Sequence, residues 1–459
     1  MPVTAARPAG RWHAELAWLG GPGGRAAERV LIETEGDRIA AVTAGADPPP
    51  GAVRLAGLTI PALANAHSHA FHRALRGRTH GGRGDFWSWR ERMYAVAARL
   101  DPDGYEELAR ATYGEMALAG VAAVGEFHYL HHAPGGVPYA EPNAMGLACI
   151  RAALDAGLRI TLLDACYLRG GLDGRPLEGP QRRFGDGDAD AWAARAGALA
   201  GLDGGGRVRV GAAVHSVRAV DPGAMRAVAG WAAARAAPLH LHLSEQPAEN
   251  QACLAATGAT PASLAERTGV LAAAATAVHA THLTADDIAL LGASRTRVCA
   301  CPTTERDLAD GIGPARALAD AGSPLALGSD SHAVIDLFEE ARALELDERL
   351  RAGRRGLHRP AELLAAAGAG GMAALGWDAG RLAPGSLADF TTLGLRSTRL
   401  AGTRPAEAAA QAVFAAAAAD VTDVVVGGRQ VVAGGRHLLL GDVGAALAAA
   451  LDRLGAAAG

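Results

Sequence analysis

PALANAHSHAFHRALRG, from Pro61 to Gly77, follows the apolar residues LTI and carries two imidazoles, His67 and His69, separated by one residue. On a strand, residues i and i+2 point to the same face, so both rings can serve one metal ion. Related strings follow in order: His240-Leu-His242-Leu-Ser-Glu245, then Val278-His279-Ala-Thr-His282, then Gly328-Ser329-Asp330-Ser331-His332. Each closes a short apolar run. Taken together they point to a hydrolase whose chemistry sits at strand ends.

Working outward from these strings, eight runs rich in apolar and β-branched residues each end in polar residues and lead into an Ala-rich helical stretch. They are LTIPALANAHSH (58–69), VAAVGEFHY (121–129), RITLLDACY (159–167), VRVGAAVHS (208–216), PLHLHLSE (238–245), ATAVHATH (275–282), TRVCACPTT (296–304) and PLALGSDS (324–331). Eight alternating units predict a (β/α)8 TIM barrel, which places chemistry at the C-terminal ends of its strands. Short strand signals before 58 and after 385 predict a small β-sandwich built from both termini. The expected organisation is therefore 1–57 as the first part of the sandwich, 58–384 as the barrel, and 385–459 as the return to the sandwich with a terminal helix. The Gly-, Pro- and Arg-rich stretch 170–190 reads as a long barrel loop, a place where function concentrates.

A chain of 459 residues, half of them apolar, can bury a large core. Its formal charge of -4 supplies no basic field for a phosphate backbone, so a small-molecule substrate is expected rather than nucleic acid. Met1 to Arg7 contains no long apolar segment, and the Ala-rich C-terminal runs are broken by Gly, Asp and Arg. A cytoplasmic protein without a membrane partner is expected. The five cysteines are odd in number and contain no CxxC pair, which indicates neither a disulfide framework nor a zinc ribbon. Cys299 and Cys301 read as small buried residues on a strand. All 44 cationic residues are arginine. Without lysine, no carboxylated lysine can bridge two metal ions.

A hydrolytic metal site needs fixed ligands, an open position for water and a carboxylate that moves protons. His67 and His69 after the first strand, His242 on the fifth and Asp330 after the eighth supply the ligands. Three imidazoles and one carboxylate suit one divalent ion, Zn before Fe, with Mg and Ca disfavoured. Glu245 is placed to reach a leaving nitrogen, or else to serve as a helix N-terminal carboxylate. His279 on the sixth strand is placed to orient or deprotonate the attacking water, together with Asp330, or to stabilise charge on the substrate carbon. His240 reads as a buried structural residue, and His282 and His332 as loop or supporting residues.

The four ligands in this order resemble the amidohydrolase superfamily, and GRLAPGSLADF (380–390) is similar to its return from barrel to sandwich. The HLSE string and the absence of lysine resemble its mononuclear deaminases. AHSHAFHRALRG, DFWSWRERMY (85–94), EFHYLHH (126–132), HSVRAV (215–220) and CPTTERDLADGIGP (301–314) are similar, more narrowly, to the formimidoylglutamate deiminases. That resemblance implies hydrolysis of N-formimino-L-glutamate to N-formyl-L-glutamate and ammonia in histidine catabolism. It implies binding of the two substrate carboxylates through Arg90, Tyr129, His215 and Arg218, since arginine suits carboxylates. It also implies a homodimer, in which Arg90 reaches a neighbouring subunit's site. His72, where such proteins carry glutamine, is a departure among the candidate substrate contacts. The alternatives are deamination of a purine, pterin or triazine ring, and a catalytically silent scaffold on the same barrel.

Overall fold

The alternation of apolar runs with Ala-rich stretches folds, in the computed structural model, into two eight-stranded sheets. The structure describes residues 10–21, 24–80 and 86–456. Met1 to Arg7, read above for a leader, and Asp85, which opens the DFWSWRERMY string, lie outside them.

Four strands come first: β1 (Gly10–Trp18), β2 (Ala26–Glu35), β3 (Arg38–Thr43) and β4 (Val53–Pro61). Eight short parallel strands follow: β5 (Leu63–Ser68), β6 (Val121–His128), β7 (Arg159–Cys166), β8 (Val208–Val214), β9 (Leu239–Leu243), β10 (Ala275–His279), β11 (Arg297–Ala300) and β12 (Leu325–Leu327). The chain then returns through β13 (Phe390–Leu393), β14 (Val421–Val426), β15 (Arg429–Ala433) and β16 (Arg436–His437), and ends in a helix, Val443–Ala456.

β5 to β12 pair in sequence order, every neighbour parallel. In β5, β6, β7, β9 and β10 every residue is buried, as expected for parallel strands covered on both faces. The seam between β5 and β12 closes where Asp330 N donates to His67 O (3.0 Å) and His69 N to Asp330 O (3.4 Å). A side chain at Gly328 would place its Cβ 2.7 Å from the His67 Cβ, so the seam admits only glycine there. Several crossover helices begin on an Asp or Thr cap followed by Pro: Asp101 before Pro102–Leu118, Asp221 before Pro222–Ala234, Thr260 before Pro261–Arg267. The side-chain oxygen satisfies a free N–H and the fixed φ of Pro starts the turn.

The terminal strands form one continuous sheet, in the order β16-β15-β14-β13-β4-β1-β2-β3. It encloses a core of its own around Trp12, Ile32, Ile39, Leu55, Phe390 and Val425. Residues 58–61, expected as the start of the first barrel strand, belong to β4, where Leu58 pairs with both Leu16 and Leu393. LTIPALANAHSH is thus two strands. The break falls at Pro61 and Ala62, where the chain leaves one sheet for the other and Ala62 N donates to Asp389 O.

Asp389 also fastens the terminal sheet to the barrel. Its carboxylate accepts from Arg159 Nε (2.8 Å) and Nη2 (3.1 Å), with both side chains fully buried. Removing one partner of a buried pair leaves a charge without compensation, which costs roughly 3–5 kcal/mol. Asp389→Ala is expected to lose about that much stability in equilibrium denaturation, and a loss under 1 kcal/mol would show that the pair is dispensable. All five cysteines are buried and unpaired. No helix among the described residues is long and apolar enough to cross a membrane.

Candidate active site

Side chains alternate along a strand, so at the end of β5 His67 and His69 share one face and Ser68 takes the other. Ser68 Oγ donates to Glu126 Oε2 on β6 (2.8 Å) and lies 3.1 Å from His332 Nε2. His332 Nδ1 meets Ser329 Oγ at 2.9 Å, and Asn65 holds Ser329 through both its backbone N–H and its hydroxyl. Glu126 accepts further bonds from Ala70 N (2.8 Å) and the Tyr105 hydroxyl (3.1 Å). Burial outweighs these bonds and pushes its carboxyl up to about 7. Together these hydrogen bonds fix the ends of β5 and β12 against each other.

On the inner face His67, His69, His242 and Asp330 converge, with one ligand atom from each lying within 4.8 Å of the others. His242 Nε2 is 3.1 Å from His67 Nε2, and Asp330 Oδ1 is 3.2 and 3.4 Å from the Nε2 atoms of His67 and His69. His69 Nδ1 donates to Phe127 O (2.8 Å) and His242 Nδ1 to His215 O (2.9 Å). These bonds place the protons on Nδ1 and leave the Nε2 lone pairs facing inward, the usual way a protein presents histidine to a metal. Burial lowers the pKa of all three histidines. Burial opposes ionisation of Asp330, yet its contacts with His67 hold the carboxyl well below the usual range. Neutral imidazoles crowded around an ionised carboxylate form a donor set that fits a divalent cation.

Glu245 and His279 line the same cavity, with His279 Nε2 3.7 Å from Glu245 Oε1. Burial raises the Glu245 carboxyl to about 7, the proximity of His279 limiting the rise. Burial works against a charge on His279, but Glu245, Glu305 and Asp330 together hold its pKa well above the ordinary histidine value. Five of the nine non-glycine residues with positive φ among the described residues lie here: Ser244, His279, Ala280, Asp330 and His332. Such backbone persists only where surrounding contacts impose it, and it concentrates at functional sites.

The cavity spans about 560 Å³, part of it open to solvent, and all five expected substrate contacts line it: His72, Arg90, Tyr129, His215 and Arg218. Arg218 is anchored through Nε on Glu249 (2.8 Å), whose other oxygen accepts from Ser244 N. His72 Nε2 is hydrogen-bonded to the Tyr129 hydroxyl (2.9 Å), and burial lowers its pKa to about 3, so it enters the cavity as a neutral ring. Arg90 lies on the helix Phe86–Ala97, its guanidinium 4.4 Å from the Trp87 ring, and lines the cavity of its own chain.

His240 stands outside the cavity: it is buried and donates from Nε2 to Ala374 O (3.0 Å), the structural role expected of it. His282 likewise donates to Asp310 O (2.7 Å). Reading by strand ends missed Phe86, Trp89, Tyr94, Tyr167 and Phe184, which give the cavity an aromatic lining, and Glu305, 3.4 Å behind His279. Phe184 comes from the 170–190 loop, whose Gln181 also bonds the hydroxyls of Tyr94 and Tyr167. The loop therefore forms part of the cavity wall.

Residues 58–431 match the model of the amidohydrolase family. The chain is 37% identical over 421 residues to the formimidoylglutamate deiminase of Pseudomonas aeruginosa, covering 90% of each protein. It is 31% identical over 382 residues to the 8-oxoguanine deaminase of the same organism, covering 81% of each. Among solved structures, an amidohydrolase from Brucella melitensis superposes with a TM-score of 0.89 at 34% identity, over 97% of this chain and 99% of that one.

Proposed function

The chain belongs to the amidohydrolase family, and from that membership we propose that it hydrolyses N-formimino-L-glutamate to N-formyl-L-glutamate and ammonia. Two arginines carry this reading. Arg90 and Arg218 line the cavity that also holds His69, His242, Glu245, His279 and Asp330, which suits a substrate with an amidine at one end and carboxylates at the other. Similarity to the Pseudomonas formimidoylglutamate deiminase supports the same choice.

A single divalent ion held by His67, His69, His242 and Asp330, zinc in our proposal, would supply Lewis acidity and bring the pKa of water toward neutrality. The chain's own groups do the rest. Arg218, Arg90, His215 and Tyr129 orient the substrate so that its formimino carbon faces the histidine cluster. Asp330 takes the proton that water gives up as its oxygen bonds to that carbon, while His279, already protonated between Glu245 and Glu305, orients that oxygen and stabilises its charge rather than accepting the proton. Glu245, its carboxyl lifted to about 7, hands one proton to the imino nitrogen, then moves the proton of the hydroxyl now on the carbon to the same nitrogen; the carbon–nitrogen bond breaks to leave the formyl carbonyl and ammonia, and the proton held by Asp330 restores Glu245. The substrate places the reaction in histidine breakdown. Homodimerisation is part of the proposal, and sedimentation at equilibrium checks it.

Deamination of an aromatic heterocycle is a second reading, favoured by the aromatic lining and by the likeness to 8-oxoguanine deaminase. A flat neutral ring would leave both arginines without a carboxylate. The two readings separate on Arg218→Met. Charge-assisted hydrogen bonds are worth roughly 1.5–3 kcal/mol, so kcat/KM for N-formimino-L-glutamate should fall by about one to two powers of ten, with metal content unchanged. A formimino compound lacking that carboxylate should be a poor substrate and nearly indifferent to the substitution. Equal losses on both compounds would assign Arg218 to the fold and remove the dicarboxylate reading.

A further inference from the structure

Arg218 is held by its backbone and by its side chain. Its carbonyl accepts from Arg169 Nε (3.2 Å), and Arg169 Nη2 also donates to the carbonyls of Val217 (3.1 Å) and Val220 (3.2 Å), so the loop after β8 is pinned. Its guanidinium donates from Nε to Glu249 Oε2 (2.8 Å), which leaves the Nη1–Nη2 edge for a ligand in the cavity that Arg218 lines. Glu249 is buried in the first turn of the helix Pro247–Thr257, whose cap is Gln246. A glutamate three places after a cap ordinarily turns back to the N–H of that cap. Glu249 Oε1 instead accepts from Ser244 N (3.1 Å), two residues further back. Ser244 has a positive φ of 52°, its carbonyl accepts from His282 N (3.0 Å), and Glu245 follows it directly.

We propose that Glu249 is a positioning residue with two tasks: Oε2 aims the Arg218 guanidinium at a substrate carboxylate, and Oε1 sets the turn that delivers Glu245 to the cavity. The inference rests on the roles given above to Arg218 and Glu245. Glu249 does not line the cavity and touches no reacting atom. Its contact with Nε freezes a long side chain before substrate arrives, so the carboxylate meets a fork already in place. Its contact with Ser244 N supports a left-handed residue that only surrounding contacts can impose. One carboxylate thus fixes the group that binds the anionic end of the substrate relative to the group that gives the proton.

The test uses zinc-loaded, full-length protein and two variants: Glu249→Ala, which loses both bonds, and Glu249→Gln, whose amide offers its oxygen to only one of the two donors. In Glu249→Ala, KM for N-formimino-L-glutamate should rise about tenfold, while KM for a formimino compound lacking that carboxylate stays within about twofold. kcat should fall about ten- to hundredfold on both compounds, because the turn before Glu245 shifts whichever compound is bound. Glu249→Gln should show the KM effect or the kcat effect alone; it keeps the side-chain volume and so decides the matter should the Ala variant not fold. Crystal structures of the variants without substrate should show the Arg218 guanidinium displaced where Nε has lost its partner, and the turn at Ser244 displaced where its N–H has. A KM that rises equally on both compounds, or Arg218 and Ser244 both at their wild-type positions in either variant, overturns the proposal. Those positions are read without substrate, so an enzyme indifferent to N-formimino-L-glutamate would refute the substrate and leave the structural result on Glu249 standing.

Discussion

Glu245→Gln should retain its metal and lose most of its turnover, by about 10² to 10⁴ in kcat, the range typical of a general acid–base group. Glu245 lines the cavity and sits 3.7 Å from His279, yet it is not one of the four converging ligands. Its carboxyl, lifted to about 7 by burial, can both accept and return a proton near neutral pH. An amide fills the same volume and can do neither. Steady-state kinetics with metal analysis on the same sample check the prediction. Near wild-type kcat would remove Glu245 from proton transfer, and loss of the metal would make it a ligand.

Removal of the divalent ion by a chelator should abolish activity, and zinc should restore it at one equivalent per chain. The ligands come from β5, from β9 and from the turn after β12, so an ion that binds them only in the folded chain stabilises the fold. At a free concentration 1,000 times Kd the gain is about 4 kcal/mol. Thermal melts of the stripped protein should therefore rise on titration with zinc, and melts of His242→Ala should rise much less. Two tightly bound equivalents, both needed for turnover, would contradict a mononuclear centre.

The metal ligands were legible because each follows a short apolar run, and the C-terminal ends of parallel strands in a closed barrel must come together. The count of eight strands was legible for the same reason, since β5 to β12 each open a βα unit. Pro61 was harder to read. LTIP and LANAHS form one apolar stretch, and nothing local says that the first half pairs with β1 and β13 while the second pairs with β6. The terminal sandwich was expected, but not its form as one continuous sheet, because the β4–β13 pairing joins residues more than 300 positions apart.

The substrate side divides in the same way. Arg90, Tyr129, His215 and Arg218 were found through strings that resemble a family, and all line the cavity. Phe86, Trp89, Tyr94 and Phe184 reach it from the helix after β5 and from the loop after β7. Their apolar character is equally consistent with ordinary core packing, so spacing could not single them out. Glu126 was passed over because its partners, Ser68, Ala70 and Tyr105, lie on the preceding βα unit, and a buried carboxyl reads as a strand residue until those donors are seen.

The most direct test is ammonia release by zinc-loaded enzyme, measured as kcat/KM on N-formimino-L-glutamate, a formimino compound without the second carboxylate, and 8-oxoguanine. N-formimino-L-glutamate should be turned over well ahead of the other two, and Arg218→Met should narrow its lead. Faster release from 8-oxoguanine, with no turnover of the formimino dicarboxylate, would contradict the substrate proposed above.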